Sequence, residues 1–378
     1  MIIAAVLAFA GALVRIDELF PVALAAVVLV GTALLWGRLR PWKMEGRRYL
    51  PVSRVPQGTP AQVELSVTNL GRRPSPVLAA RDPFDGGRRF ARFALSPLQP
   101  GATVTARYRV PTNQRGLFSI GPMEFRCSDP FGLSAANRIS GGTSTLCVHP
   151  AFDRLAPLEL AHAGSEGAQR GTTRPTSHGE EFYALREYQL GDDLRRVHWA
   201  SSARADRLMI REDQEPTSSR LLLVGDLRRF VHTSASFERT LSILASLADS
   251  GLRGNHSVLV ACTGSKDSGW GEGPVHALAI LDLLAGAQPD SEGKATALRR
   301  CIWERAPEAS TVIVVTTDGV IASDLTESAA PHGAFVVLVE RTAKAGAGNA
   351  TLPWPVVSVP MGLPFGTAWS AAGKLATK

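Results

Sequence analysis

Leu221-Leu222-Leu223-Val224-Gly225-Asp226 decides the fold. An unbroken apolar run of strand length marks a strand covered on both faces, because a strand with one wet face alternates apolar with polar instead. Outward from this run, Phe237 to Leu247 carries helical spacing and Ser257 to Ala261 is a second short apolar run. Val275 to Ala285 and Ala295 to Arg305 read as helices, Val312 to Val315 as a strand leading into Thr316-Thr317-Asp318-Gly319, and Phe335 to Val339 as another strand. Strand, helix and strand in succession predict an α/β doubly wound domain over 217–345, whose strand carboxyl ends are the default ligand edge. The tail, 346–378, is rich in Gly, Ala and Pro and is expected to be loop apart from a short strand at Val356 to Val359.

Toward the N-terminus the period changes. Residues 50–150 break into short β-rich runs separated by Asn69-Leu70-Gly71, Asp85-Gly86-Gly87, Gln99-Pro100-Gly101 and Gly141-Gly142. Thr103 to Val110 alternates Val104, Ala106, Tyr108 and Val110 against a polar face, so this region is expected to be an all-β immunoglobulin-like sandwich. Residues 151–180, with Gly164, Gly167, Gly171, Pro175 and Gly179 among Ser, Thr and Gln, read as a linker that buries too little apolar surface to order itself.

Leu19 to Gly37 is free of charge and about as long as a bilayer core requires, while residues 1–14 are uncharged but shorter. Arg38, Arg40, Lys43, Arg47 and Arg48 follow, where a membrane protein places its cytoplasmic flank. The expectation is an N-terminal transmembrane helical hairpin over 1–40, with arms at 1–14 and 19–37, a lipid bilayer as one partner, and the remaining domains at the cytoplasmic side of the cell membrane. A cleaved leader fits less well, since the first segment lacks a basic start and no small-residue cleavage site precedes the second. A net charge of +7 would ordinarily raise nucleic acid as a partner, but the clustering of cations after the apolar run argues against it. Cys127, Cys147, Cys262 and Cys301 show neither C-x-x-C pairing nor zinc spacing and read as buried thiols of a reducing compartment.

Residues 181–216 form a compact charged motif in which arginines and carboxylates alternate around Tyr188 and Trp199. Its candidate partner-binding residues are Glu181, Phe182, Arg186, Tyr188, Gly191, Asp192, Arg195, His198, Trp199, Ser202 and Arg204. Asp192 is placed to cap a helix running to Arg204, with Arg195 or Arg204 pairing Glu181 or Glu187 and with Trp199 as core. His198 with Asp192 and Ser201 or Ser202 could be arranged as base, acid and nucleophile, but groups presented from one short helix have no evident oxyanion donor, and a structural clamp is the preferred reading.

Three blocks carry a family resemblance. Arg115-Gly-Leu-Phe-Ser-Ile-Gly121-Pro122 is followed by Asp129-Pro-Phe-Gly-Leu133, and then come Glu181-Phe182, Leu185-Arg-Glu-Tyr188, Gly191-Asp192-Asp193, Arg195, His198-Trp199 and Ser202-Ala203-Arg204. Together they resemble the domain of unknown function 58 family, which implies a membrane hairpin, a β domain, the charged motif and a von Willebrand factor A-like domain, with a MoxR-type AAA+ ATPase as associated partner. The third block departs from that pattern. An A-domain metal site needs Asp-x-Ser-x-Ser to give Mg²⁺ or Ca²⁺ its oxygen ligands, whereas this chain has Asp226-Leu-Arg228-Arg-Phe230, so Asp226 and the later Asp318 form a degenerate site beside Arg228 and no metal or other cofactor is expected. The function expected is that of a membrane-anchored, non-enzymatic scaffold engaging a protein partner. The alternatives are a hydrolase using His198, Asp192 and Ser202, and a metal-dependent adhesion module.

Overall fold

The computed structural model describes residues 19–39, 42–129, 131–159, 182–189, 197–205, 207–213, 219–264, 267–291, 293–294, 296–320, 323–326, 334–341, 352 and 354–373. It is mixed α/β with many strands, and it divides into two compact units, one of residues 1–151 with 284–287 and one of 152–283 with 288–378.

Among the described residues, the first unit runs from helix α1 (Leu19–Leu39) through ten strands: β1 (Met44–Tyr49), β2 (Arg54–Pro56), β3 (Ala61–Asn69), β4 (Leu78–Phe84), β5 (Arg89–Leu95), β6 (Thr103–Val110), β7 (Gly116–Ile120), β8 (Met123–Ser128), β9 (Ala135–Ser140) and β10 (Ser144–His149). They form sheets of order β1-β3-β6, β2-β10-β7 and β5-β4-β8-β9. Strand alternation generates the core. Ala61, Val63, Leu65 and Val67 of β3 face inward and meet Leu78 and Ala80 of β4, Phe125 of β8 and Leu146 of β10. Each such Val, Leu or Phe contributes about 1.5–3 kcal/mol on burial.

One polar cluster lies inside this core. Asp82, fully buried on β4, accepts from Arg48 Nε at 3.0 Å, from a second Arg48 nitrogen and from the Tyr108 hydroxyl at 2.6 Å, while Arg48 Nη1 reaches the Gly142 carbonyl at 2.9 Å. Burial, reinforced by the bond to Asp82, pushes the Tyr108 phenol well above its ordinary value.

The N-terminal hairpin is overturned. Among the described residues no helix is long and apolar enough to cross a membrane. The first arm, 1–14, lies outside the described residues. The second falls in α1, which exposes Val22, Leu24 and Leu35 but buries Ala23 and Ala33 against protein, where the Ser134 hydroxyl donates to the Ala33 carbonyl at 3.0 Å. Two residues of the basic flank that oriented the hairpin are engaged elsewhere. Arg47 and Arg48 belong to β1, where Arg47 pairs with Glu45 and Arg48 with buried Asp82, so neither stands as a free juxtamembrane cation.

The second unit holds the hairpin β11 (Phe182–Glu187) and β12 (Met209–Asp213) with the short helix α2 (Trp199–Ala205) between them. A five-stranded parallel sheet follows, made of β13 (Arg220–Gly225), β14 (Ser257–Cys262), β15 (Thr311–Thr317), β16 (Ala334–Val339) and β17 (Val356–Val359) in the order β14-β13-β15-β16-β17. Its helices are α3 (Ser234–Arg253), α4 (Gly273–Gly286), α5 (Ala297–Arg305), α6 (Ser323–Thr326) and α7 (Phe365–Gly373).

Helix α3 starts at a capping box, Thr233 Oγ1 accepting from Ser236 N and Ser236 Oγ from Thr233 N, so two orphan donors are satisfied reciprocally. Gly225 and Gly251 then let helix and sheet close up, since a Cβ on Gly225 would lie 2.6 Å from Leu244 and one on Gly251 2.7 Å from Leu221. Residues 152–159, read from sequence as the start of a linker, lie along α3. Leu155 is buried, Asp153 N donates to Ser246 Oγ at 2.9 Å, and the Leu158 carbonyl bonds His256 Nε2 at 2.7 Å.

Candidate functional site

The sheet order places β13 and β15 side by side while the chain leaves β13 toward β14 on one side and reaches β15 on the other. This is a topological switch point, where a crevice opens at the strand carboxyl ends. Asp226 follows β13 directly and is fully buried. Its Oδ1 accepts from Arg228 Nε at 2.9 Å, and its Oδ2 from Arg228 Nη2 at 2.8 Å and from Thr316 Oγ1 at 2.9 Å. Arg228 Nη2 also donates to Asp324 Oδ2 on α6 at 2.9 Å. Arg228 is fully buried, and its guanidinium carbon lies 5.1 Å from the centre of the Phe230 ring, which is itself 60% exposed. Burial alone would lower the guanidinium pKa, yet the bonds and charges of Asp226 and Asp324 together raise it, so Arg228 stays cationic.

His232 completes the cluster. Its Nε2 faces the Asp226 carbonyl, which can only accept, so Nε2 carries the proton and Nδ1 is left to accept from Ser236 Oγ at 3.3 Å. Burial lowers its pKa and outweighs the opposing pull of Asp226, so the ring stays neutral. Asp226, Asp324 and Thr316 are oxygen donors of the hard type that Mg²⁺ or Ca²⁺ takes. The Arg228 fork, however, holds both oxygens of Asp226 and one of Asp324, and a divalent ion entering there would have to displace a charge-assisted pair.

Sequence reasoning placed Asp318 in this site, and the structure corrects that. Asp318 turns away and accepts from Arg341 Nε at 2.7 Å, and the second carboxylate on Arg228 is Asp324. Its signal was absent because Asp324 lies ninety-six residues from Arg228 in a four-residue helix without periodicity of its own.

The charged motif is built differently. Arg186 of β11 is opposite Ile210 of β12, and Val197 forms a bridge to the same Ile210, so Ile210 is central and buried. His198 then caps α2. Its Nδ1 accepts from Ser201 N at 3.3 Å and lies 2.9 Å from Ser201 Oγ, and because the backbone N–H needs an unprotonated Nδ1, the hydroxyl is the donor in the second contact. Ser202 is buried, its Oγ donating to the His198 carbonyl at 3.1 Å and accepting from Met209 N at 2.8 Å, which ties the helix to β12.

Of the residues singled out from sequence, Glu181, Gly191, Asp192 and Arg195 lie outside the described residues, and Phe182 and Arg186 are described in backbone only. Tyr188 and His198 are half-buried and Arg204 is exposed. Two expectations are corrected. Trp199 is not core but 67% exposed, at the first residue of α2. The described helix begins at Trp199 with His198 as its cap, whereas a cap at Asp192 was expected. Glu187 pairs with Arg207 at 3.5 Å, while Glu181 and Arg195, the other members of the expected pairing, lie outside the described residues. Of the hydrolase constellation, Ser201 meets the His198 ring, Ser202 is bonded to backbone, and Asp192 lies outside the described residues.

Comparison with known proteins agrees with the resemblance seen in the motifs. The "Uncharacterized protein YeaD" of Bacillus subtilis (strain 168) is 27% identical over 191 residues, which is 50% of this chain and 47% of that protein, so the chain matches about half the relative's length. Among solved structures, a CARDB domain from Pyrococcus furiosus determined with di-metal ions is 17% identical, covers 28% of this chain and 88% of that domain, and has a TM-score of 0.23. The putative ApaA protein of Bordetella pertussis is 16% identical, covers 29% and 96% respectively, and scores 0.22. At such scores neither likeness carries an argument. The family described as "Protein of unknown function DUF58" matches residues 184–339, from within β11 to the last residue of β16, which takes in most of the charged motif and four of the five parallel strands.

Proposed function

We propose that the DUF58-matched region is a non-enzymatic scaffold that engages a protein partner through the β11–α2–β12 element. The observation that carries this reading is Trp199, a large aromatic held 67% exposed on a helix that Ser201 and Ser202 fix to His198 and β12. Aromatic and arginine side chains dominate interface energetics, and the same element also exposes Arg204, Arg207 and Leu208. His198 and Ser202 fit a structural part better than a catalytic one, since the first is engaged as a helix cap and the second is bonded to backbone on both sides. The family resemblance makes a MoxR-type AAA+ ATPase the first partner to try. A cytoplasmic setting goes with that choice, and the four cysteines, none of them in a disulfide, accord with it.

The experiment is a binding titration of the full chain against a purified MoxR-type AAA+ ATPase from the same genome, by biolayer interferometry. Saturable binding that Trp199→Ala weakens at least tenfold, with an unchanged melting curve, supports the reading. No binding, or binding indifferent to Trp199, overturns it. Ester or peptide hydrolysis lost on Ser201→Ala would favour the hydrolase instead.

A further inference from the structure

We propose that the outer face of the four-stranded sheet β5-β4-β8-β9 is a docking groove for an acidic peptide segment of a protein partner. The register fixes what stands on this face. One row across the sheet reads Arg92, Arg81, Glu124 and Ile139, and the next reads Ala94, Ala79, Arg126 and Asn137, with Phe90 beside Pro83 at one end. Ala79 and Ala94 are too short to fill the space between the rows. A trough of about 350 Å³ results, with Ala79 at its floor and Arg81, Arg92, Glu124, Arg126 and Asn137 around it.

The charges on this face do not balance. Arg81 and Arg92 stand directly opposite each other on antiparallel strands, a placement that destabilises a sheet when the charges are alike. Glu124 answers Arg81 alone, through Nε at 2.5 Å, while Arg92 and Arg126 make no ion pair among the described residues. Phe90 holds the two opposed guanidiniums in place, with Arg92 4.4 Å and Arg81 5.4 Å from its ring centre. A fold has no need of this arrangement, since a carboxylate at position 92 would pair with Arg81. Two uncompensated forks beside a trough with an alanine floor, together with the amide of Asn137, are suited to carboxylates, which an arginine fork binds in bidentate fashion. The exposed Phe90 and Ile139 at the margins take apolar side chains between the acidic ones.

A polyphosphate chain fits less well. Glu124 sits in the middle of the row and repels an evenly charged backbone, and a nucleic acid needs many more phosphate contacts than two free cations offer. The surface lies in the first unit and is independent of Trp199, so failure here and failure of the scaffold reading are told apart by which variant loses which ligand.

The test uses the full chain and a fluorescein-labelled poly-glutamate peptide, followed by anisotropy, with heparin and phosphatidylglycerol vesicles as anionic comparators. The expected result is saturable binding of poly-glutamate that Arg92→Glu with Arg126→Glu weakens at least tenfold. Arg109→Glu with Arg300→Glu, the same charge change on exposed residues elsewhere, and Trp199→Ala should each change it less than twofold. A folding readout runs alongside. Arg92→Glu and Arg92→Ala both lose the stack on Phe90, but only the glutamate gains Arg81 as a partner, so Arg92→Glu should melt higher than Arg92→Ala. Absence of poly-glutamate binding, equal loss in the two charge-reversed pairs, or tighter binding of heparin or vesicles than of poly-glutamate overturns the proposal, as does an Arg92→Glu variant that melts lower than Arg92→Ala.

Discussion

Replacing Arg228 by Met removes a buried cation and leaves its two carboxylates behind. Asp226, fully buried, would lose the donors Nε at 2.9 Å and Nη2 at 2.8 Å and keep only the Thr316 hydroxyl and the backbone N–H at position 228, and Asp324 would lose a bond of 2.9 Å. Taking one partner from a buried pair costs about 3–5 kcal/mol, because the carboxylate left in a low-dielectric site has no counter-charge, whereas an exposed pair such as Arg300 with Glu304 contributes under about 1 kcal/mol. For a unit of this size each kcal/mol moves the midpoint by about 2–4 °C, so a drop of roughly 6–20 °C is expected in the transition of the second unit. Differential scanning calorimetry of the full chain measures it. Adding Asp226→Asn to the Met variant removes the orphaned charge, so the double variant should melt above the single one, a coupling that a double-mutant cycle reads directly. A drop below about 2 °C for Arg228→Met, or strict additivity in the cycle, would refute the view that this pair is buried and mutually dependent.

The remaining expectations are smaller. Ser202→Ala removes the buried hydroxyl that accepts from the half-buried Met209 N–H and should cost about 1–3 kcal/mol by urea denaturation, with Ser201→Ala, at a half-buried position of the same helix, costing less. Trp199→Ala should change stability by no more than about 0.5 kcal/mol, since an exposed ring leaves no cavity, and a large loss would show the ring to be packed. Asp82→Ala leaves Arg48 uncompensated in the first unit, at a cost of about 3–5 kcal/mol confined to that unit's calorimetric transition. His232 has its folded pKa lowered, chiefly by burial, so below about pH 6.5 the unfolded chain binds a proton that the folded one resists. Its contribution is intact above that pH and is lost as pH falls toward the folded value, with a slope of at most about 1.4 kcal/mol per pH unit. His232→Gln, which can still donate to the Asp226 carbonyl, should flatten the stability profile below about pH 6.5, and an unchanged profile would remove His232 from the account.

The parallel strands were legible because each obeys a purely local rule. Leu221 to Val224 carry no polar residue to spare for a wet face, and the strand runs from Arg220 to Gly225. Thr103 to Val110 was equally plain, its alternation matching a strand with one covered face. What depends on contact between distant residues was not legible. Nothing in Phe182 to Glu187 names Met209 to Asp213 as its antiparallel partner, and so a helix was expected where a hairpin with a shorter helix stands. Trp199 stands exposed at the first residue of α2, and a start shifted by a few residues turns a helix face by a large angle. Arg48 was misread because a basic residue after an apolar run looks the same whether it faces lipid headgroups or a carboxylate thirty-four residues on. The site at the switch point was half legible, since Arg228 in place of a hydroxyl was visible in the sequence while its second carboxylate, Asp324, was not.

A metal ion joining two segments of a protein has a dissociation rate, a competitor in every chelator and a dependence on cell supply. The cation that joins β13 to α6 here has none of these, because it is a side chain of the segment it serves. It cannot be diluted, exchanged or starved, and any loosening of α6 must come from mechanical pull or from a new anion that bids for the guanidinium. Force on α6 and competition for the guanidinium are therefore the perturbations to which this joint answers.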